Sequence, residues 1–256
     1  MDRTKIIGMG CLRYAVVLAV TSLGQGVFAE TDDFGMWVSA EAEMRIDKKW
    51  DIGISGEFRS RDNSGEVDRW AFGVDGEYKI VKWLRASAGY TLLYDNNREK
   101  TTYYTDGSSK HWRPSYWGVR HRFSMSLTGR TKAGRFTFSL RERWQYTYRP
   151  EKTIKRYDFS ESSWEEKTVR GKGRNVLRSR LKACYDTPHC GIDPYISAEF
   201  FNAWSLYKTR YTLGVEYNVT KKHALGIAYI FQDVENDDDD NDTDSHIISV
   251  SYKFKF

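Results

Sequence analysis

The sequence predicts an all-β chain: an antiparallel up-and-down transmembrane β-barrel of about ten to twelve strands, preceded by a cleaved leader. Three observations predict it. Apolar and polar residues alternate with a period of two through nearly the whole chain after residue 34, which gives each strand one apolar face. The connections between these strands alternate between short and long. Finally, 15% of the residues are aromatic although 29% are charged and mean hydropathy is −0.67. No run of 18 apolar residues follows residue 30, so a helical membrane protein is excluded. A barrel wall needs no such run, because every second residue faces the lumen.

The first element is the leader. Arg3 and Lys5 form a basic start, Tyr14 to Val20 a short apolar stretch, and Val27-Phe28-Ala29 a small-residue cleavage site before Glu30. That stretch is too short to span a bilayer as a helix. Cys11 precedes it, so it is not the acylated cysteine of a lipoprotein, which follows. The chain is therefore expected to divide into a signal peptide, 1–29, and a single barrel domain, 30–256, folded outside the cytoplasm.

The strands follow in order. Val38, Ala40, Ala42, Met44 and Ile46 alternate with Trp37, Ser39, Glu41, Glu43 and Arg45 before a turn at Asp47-Lys48-Lys49. Trp50, Ile52, Ile54 and Phe58 form the next apolar row, then Trp70, Phe72, Val74, Tyr78 and Ile80, then Leu84, Ala86, Ala88, Tyr90, Leu92 and Tyr94. In the second half the rows are Val119, Phe123, Met125 and Leu127, interrupted by His121, and Phe136, Phe138, Leu140, Trp144, Tyr146 and Tyr148, with Glu142 a misfit. Leu177, Leu181 and Ala183, then Ile196 and Ala198, then Tyr211, Leu213, Val215 and Tyr217, then Leu225, Ile227, Tyr229 and Phe231 continue the pattern.

Short turns at 47–49, 81–83, 131–134, 186–191 and 220–222 alternate with longer loops at 62–66, 95–118, 149–174, 202–209 and 233–245. Membrane barrels sort their loops by side in this way, and a soluble sandwich has no reason to. Ten strands are consistent with that sorting. The strand at 34–46 would be an eleventh, starting on the long-loop side, so it either lies beside or inside a ten-stranded barrel or implies a hidden twelfth.

The last strand carries the first resemblance. Ile248, Val250, Tyr252, Phe254 and Phe256 alternate with Ser249, Ser251, Lys253 and Lys255, and the strand stops on an aromatic. It resembles the closing strand of bacterial outer-membrane barrels, in which the terminal Phe, here Phe256, is read by the barrel-insertion machinery.

The opposite faces of the strands carry charge. Glu57, Arg59, Asp75, Glu77, Arg120, Arg122, Arg141, Arg143, Arg178, Arg180, Glu199, Arg210 and Glu216 are all expected inside. Such charges pair across a narrow lumen, since an isolated one removed from water is costly. The arrangement reads either as a structural plug of salt bridges or as a path or site for an anion, the latter favoured by the arginine excess in the middle strands.

The runs Arg178-Ser-Arg180-Leu, Asp193-Pro194-Tyr195-Ile-Ser-Ala-Glu199-Phe200-Phe201-Asn202 and Arg210-Tyr-Thr-Leu-Gly214-Val-Glu216-Tyr resemble the outer-membrane family of unknown function DUF2490. So do Phe34-Gly-Met-Trp37 through Lys49-Trp50-Asp51 and the following Glu57-Phe58-Arg59. The resemblance covers nearly the whole chain after the leader and implies a barrel in the outer membrane of a Gram-negative bacterium. It brings no activity with it. The segment with Cys184, His189 and Cys190 departs from the pattern.

Cys184 and Cys190 lie across a predicted turn, and in an oxidising compartment they form a candidate disulfide, with free thiols the alternative. A metal site there would need ligands besides His189. In the last long loop, Asp237, Asp238, Asp239 and Asp240 sit among eight carboxylates in twelve residues. They are candidate surface Ca²⁺ or Mg²⁺ ligands, but they lack the spacing of an EF-hand, and like-charge runs are commonly just solvated. No other cofactor is expected.

A rim hydrolase or acylase acting on lipids would need a histidine near the outer rim, where only His111 and His246 lie. Asp244-Ser245-His246 alone forms no triad, because neighbours on a strand point to opposite faces. The expectation is thus a small outer-membrane barrel serving as scaffold or narrow transporter, in contact with outer-membrane lipids and lipopolysaccharide. The alternatives are the rim enzyme and a secreted ligand-binding sandwich. The formal net charge of +5 is too balanced to indicate nucleic acid, and the oligomeric state is left open.

Overall fold

Sustained period-two patterning leaves strands as the means of satisfying the backbone, and a wall with lipid outside must close on itself so that no edge is bare. A computed structural model describes residues 33–188, 190–235 and 243–256. The expected leader, His189 and the aspartates at 237–240 lie outside the described residues.

The strands are β1 (Asp33–Arg45), β2 (Trp50–Arg61), β3 (Glu66–Val81), β4 (Leu84–Asn97), β5 (Lys100–Tyr103), β6 (Ser109–Arg113), β7 (Tyr116–Ala133), β8 (Phe136–Arg149), β9 (Lys152–Asp158), β10 (Ser163–Val169), β11 (Lys172–Tyr185), β12 (Ile192–Asn202), β13 (Leu206–Asn218), β14 (His223–Val234) and β15 (Ser245–Lys255). Eleven of them close a barrel in the order β1-β15-β14-β13-β12-β11-β8-β7-β4-β3-β2. All neighbours are antiparallel except β1 and β15, which run parallel from Asp33 opposite Ser245 to Glu43 opposite Lys255.

This seam resolves the odd strand. The segment at 34–46 is neither beside the barrel nor paired with a hidden twelfth strand; it is the eleventh stave of the wall. An even count is required only when first and last strands meet antiparallel. Here β1 uses both faces, setting Val38, Ala40 and Ala42 in the outer row while Glu41 and Glu43 reach Lys253 inside. A ring of eleven also excludes the two-sheet sandwich.

Aromatics ring both ends of the outer wall. On β2 and β3, Trp50 packs at a tilt against Tyr78 near the short-turn end and Phe58 against Trp70 near the long-loop end, each pair with centroids 4.8 Å apart. Eight residues separate Trp50 from Phe58, about 26 Å along a strand at ~3.3 Å per residue and roughly 20 Å along the axis at ~40° tilt. Ile52 and Ile54 lie between them, and Ile54 is 60% exposed. The wall therefore has the apolar band and two girdles of a bilayer-spanning barrel.

Both sequence misfits lie in this wall. His121 Nδ1 is 2.7 Å from the Tyr90 hydroxyl across β4 and β7. Glu142 accepts a 2.6 Å hydrogen bond from Ser179 Oγ of β11. Among the described residues Glu142 is the only carboxylate, lysine or arginine in the outward rows between the girdles.

At the β1–β2 turn, Asp47 Oδ1 accepts from the amides of Lys49 and Trp50 at 2.6 and 2.7 Å. These two bonds hold the exposed Asp47 carboxyl below its ordinary value. At the other end the two longest loops build a second, four-stranded sheet in the order β10-β9-β6-β5. Its two hairpins meet where His111 pairs with Asp158 and Trp112 with Tyr157.

Candidate functional site

Because successive side chains alternate faces, the inward rows stack charges into the lumen, and the strands sort them by height. Toward the short turns, Lys253 of β15 bridges Glu41 and Glu43 at 3.0 and 2.6 Å. At that level Glu77 pairs with Arg85 and Glu216 with Lys182.

Midway, Glu199 of β12 is gripped from two sides. Arg178 Nη2 reaches Oε2 and Arg141 Nη2 reaches Oε1, each at 2.8 Å, and Arg178 also donates to Gln145 Oε1 at 3.0 Å. Glu199 is 7% exposed, so its charge is stabilised by these donors rather than by water. Arg143 and Arg180 stand nearby on β8 and β11 without an ion pair among the described residues, and the buried Nε of each lacks a hydrogen-bond partner.

Toward the long loops, Asp95 of β4 is 1% exposed and joins Arg69 to Arg120, the latter at 3.0 Å. Glu57 takes Arg59 at 2.7 Å. The guanidinium groups of Arg59 and Arg210 lie 3.8 and 4.7 Å from the ring centre of Trp37, and Arg178 lies 4.5 Å from that of Phe201. Such stacking holds cations in place without neutralising them.

Above the Glu199 fork is a cavity of about 100 Å³ lined by Arg59, Arg69, Arg120, Arg122, Arg149, Lys172, Arg174, Arg178, Lys208 and Arg210. Among the described residues no carboxylate lines it; Gln145, Thr147, Val176, Phe201 and Tyr207 complete the wall. Arg122 donates to Thr147 Oγ1 at 3.2 Å. The Nε atoms of Arg149 and Arg178 are buried without a hydrogen-bond partner. Ten cationic side chains around so small a space make a chamber complementary to an oxyanion. At about 30 Å³ per water it has room for roughly three waters, the scale of a small multiply charged anion rather than an oligomer.

All thirteen residues expected in the lumen lie on its inner rows. The structure brings Arg141, Arg178 and Glu199 together, and likewise Glu57 with Arg59. Glu77 and Glu216 pair with Arg85 and Lys182, basic residues of the inward rows. Asp75 packs over Gly53 and makes no ion pair among the described residues. Asp95, Arg149, Lys172, Arg174, Tyr207 and Lys208 were hidden because they sit where the strands run on into segments read as loops.

The candidate disulfide is not formed: Cys184 and Cys190 are free. Cys184 falls on the inward row of β11 with Lys182, whereas Cys190 lies in the β11–β12 connection. Nor does Asp244-Ser245-His246 converge. Asp244 Oδ1 accepts from the Val234 amide at 2.8 Å, Ser245 Oγ donates to Thr243 O at 2.8 Å, and His246 Nδ1 lies 2.5 Å from the Tyr229 hydroxyl. Phe256 is 66% exposed, and its amide donates to Glu43 O at 2.9 Å.

Fold and site together define a membrane-spanning β-barrel of the outer-membrane type, with a charged lumen. The chain belongs to the family described as Protein of unknown function (DUF2490), whose model matches residues 34–243. Similar solved structures include the β domain of the Bordetella autotransporter BrkA, at 13% identity and a TM-score of 0.48, with 79% of each chain covered. The CymD monoaromatic hydrocarbon channel is 9% identical with a TM-score of 0.38, covering 73% of this chain and 65% of that one. A mutant ferric enterobactin receptor, PfeA of Pseudomonas aeruginosa, is 10% identical with a TM-score of 0.27, covering 80% of this chain and 40% of that one. No curated protein matches the chain.

Proposed function

We propose that this protein is a narrow, anion-selecting transporter in the outer membrane of a Gram-negative bacterium. One observation carries the reading: ten cationic side chains and no described carboxylate line the chamber on the long-loop side of the lumen. A small multiply charged oxyanion such as phosphate, pyrophosphate or a di- or tricarboxylate fits its charge and its ~100 Å³ volume. Below it the fork of Arg141, Glu199 and Arg178 obstructs the path, so conduction is small and selective rather than that of an open pore. The apolar outer wall suits membrane lipid, with lipopolysaccharide as the partner at the long-loop end. The strand ending at Phe256 serves as the signal to the insertion machinery.

The test is reconstitution in planar bilayers. Under a KCl gradient the reversal potential should indicate anion preference, and pyrophosphate added on the long-loop side should block the current. Arg122→Gln, which removes a charge that donates to Thr147 Oγ1 and makes no ion pair among the described residues, should weaken the block several-fold and leave heat-modifiable migration on gels unchanged. Cation preference, or block unaffected by the substitution, would overturn the proposal. Recovery from the soluble periplasmic fraction would overturn the location.

A further inference from the structure

The structure assigns a site for a divalent transition-metal cation to the outer sheet, at His111 of β6, Asp158 of β9 and Glu165 of β10, where it clips the two outer hairpins together. The side-chain donor atoms of these three residues lie within 4.8 Å of one another. His111 Nε2 is 3.2 Å from Asp158 Oδ2 and 3.7 Å from Glu165 Oε1. Ligands at ~2.0–2.2 Å from a tetrahedral ion stand roughly 3.3–3.5 Å apart, so adjustments of a few tenths of an ångström at the imidazole complete two edges of the coordination sphere. One imidazole and two carboxylates suit Zn²⁺ or a similar ion, with a fourth position open to water.

Neighbouring bonds aim these donors. The Thr102 hydroxyl lies 3.4 Å from His111 O, to which it donates, and its oxygen lies 3.4 Å from Nδ1. With its proton directed at the carbonyl, that oxygen can only accept from Nδ1–H, which leaves the Nε2 lone pair facing the carboxylates. Asp158 Oδ1 is taken by the Ser160 amide at 2.8 Å, by Ser160 Oγ at 2.6 Å and by the Glu161 amide at 3.3 Å, so Oδ2 is the oxygen left for a cation. One group opposes binding: Arg156 Nε pairs with Glu165 Oε1 and competes for it.

The site spans the join between hairpins β5–β6 and β9–β10, where His111 pairs with Asp158 and Trp112 with Tyr157, the Phe159 amide donates to Lys110 O at 3.1 Å and Trp112 packs against Trp164. A bound ion therefore adds a side-chain clip to a join that the backbone holds over only a few residues.

The experiment is calorimetric titration of the full-length refolded protein in detergent with ZnCl₂. One zinc per chain is expected at this site. His111→Ala and Asp158→Asn should weaken its affinity at least tenfold, and Thr102→Val, which keeps all three ligands, about tenfold. Arg156→Gln should tighten binding several-fold by freeing Glu165. Absence of zinc binding, or binding that His111→Ala leaves intact, would overturn the assignment. So would weakening by Arg156→Gln, which would mean that the cluster is a salt-bridge network needing its guanidinium.

Discussion

Replacing Glu199 by alanine tests whether the lumen is held by charge pairing. The carboxylate is 7% exposed and accepts two 2.8 Å bonds from Arg141 and Arg178. Its removal leaves two guanidinium groups facing each other, with Arg143 and Arg180 close by on the same strands. Breaking a buried pair by deleting one partner costs about 3–5 kcal/mol. The lower end applies here, because the chamber above can lend water to Arg178. A loss of about 3 kcal/mol is expected, and about 2 kcal/mol for Glu199→Gln, which keeps one acceptor without the charge. Urea unfolding of the barrel in lipid vesicles, followed by tryptophan fluorescence, measures it. A change below about 0.5 kcal/mol in both variants would refute the reasoning, since the fork would then be hydrated already and the lumen open.

Three further outcomes are expected. Glu142→Leu, on the lipid-facing wall, should stabilise the barrel in vesicles by about 1 kcal/mol, because a lipid-facing carboxylate is unfavourable; destabilisation would mean that this face is covered by protein. Intact-mass analysis should show Cys184 and Cys190 alkylated to the same extent with and without reductant, and a reductant-dependent adduct at both would contradict the free thiols. The Asp47 carboxyl is lowered by the Lys49 and Trp50 amides, so its support for the turn is present above its ordinary value of 3.8 and lost as pH falls through its lower folded value. Amide exchange at those two residues should accelerate in that acid range, and Asp47→Ala should show the fast exchange already at neutral pH.

The wall was legible in the sequence because a two-residue period leaves no freedom about which face each side chain takes. Arg178 and Glu199 could thus be placed inside from spacing alone, and His121 and Glu142 stood out where the period was broken. Two kinds of information were absent. Partnership across strands depends on register, so nothing local indicated that Glu216 meets Lys182 rather than an arginine. The chamber is built from strand ends, where Arg149, Arg174 and Lys208 carry the alternation past polar residues that read equally well as loop. The parallel seam was hidden for a related reason: β1 has the pattern of any other stave, and only its neighbour makes it unusual. The His111, Asp158 and Glu165 cluster joins residues from two separate loops, and no spacing in the chain connects them.

The parallel pairing of β1 with β15 also gives the molecule a sidedness that an even barrel lacks. The chain enters the wall at Asp33, beside Ser245 at the long-loop mouth, and leaves it at Phe256, beside Glu43 at the opposite mouth. In an even-stranded barrel both ends emerge together; here they are separated by the full thickness of the wall. Reporter groups attached at Asp33 and at Phe256 would sample different compartments, so a single protein labelled at both positions could report its own orientation in a membrane.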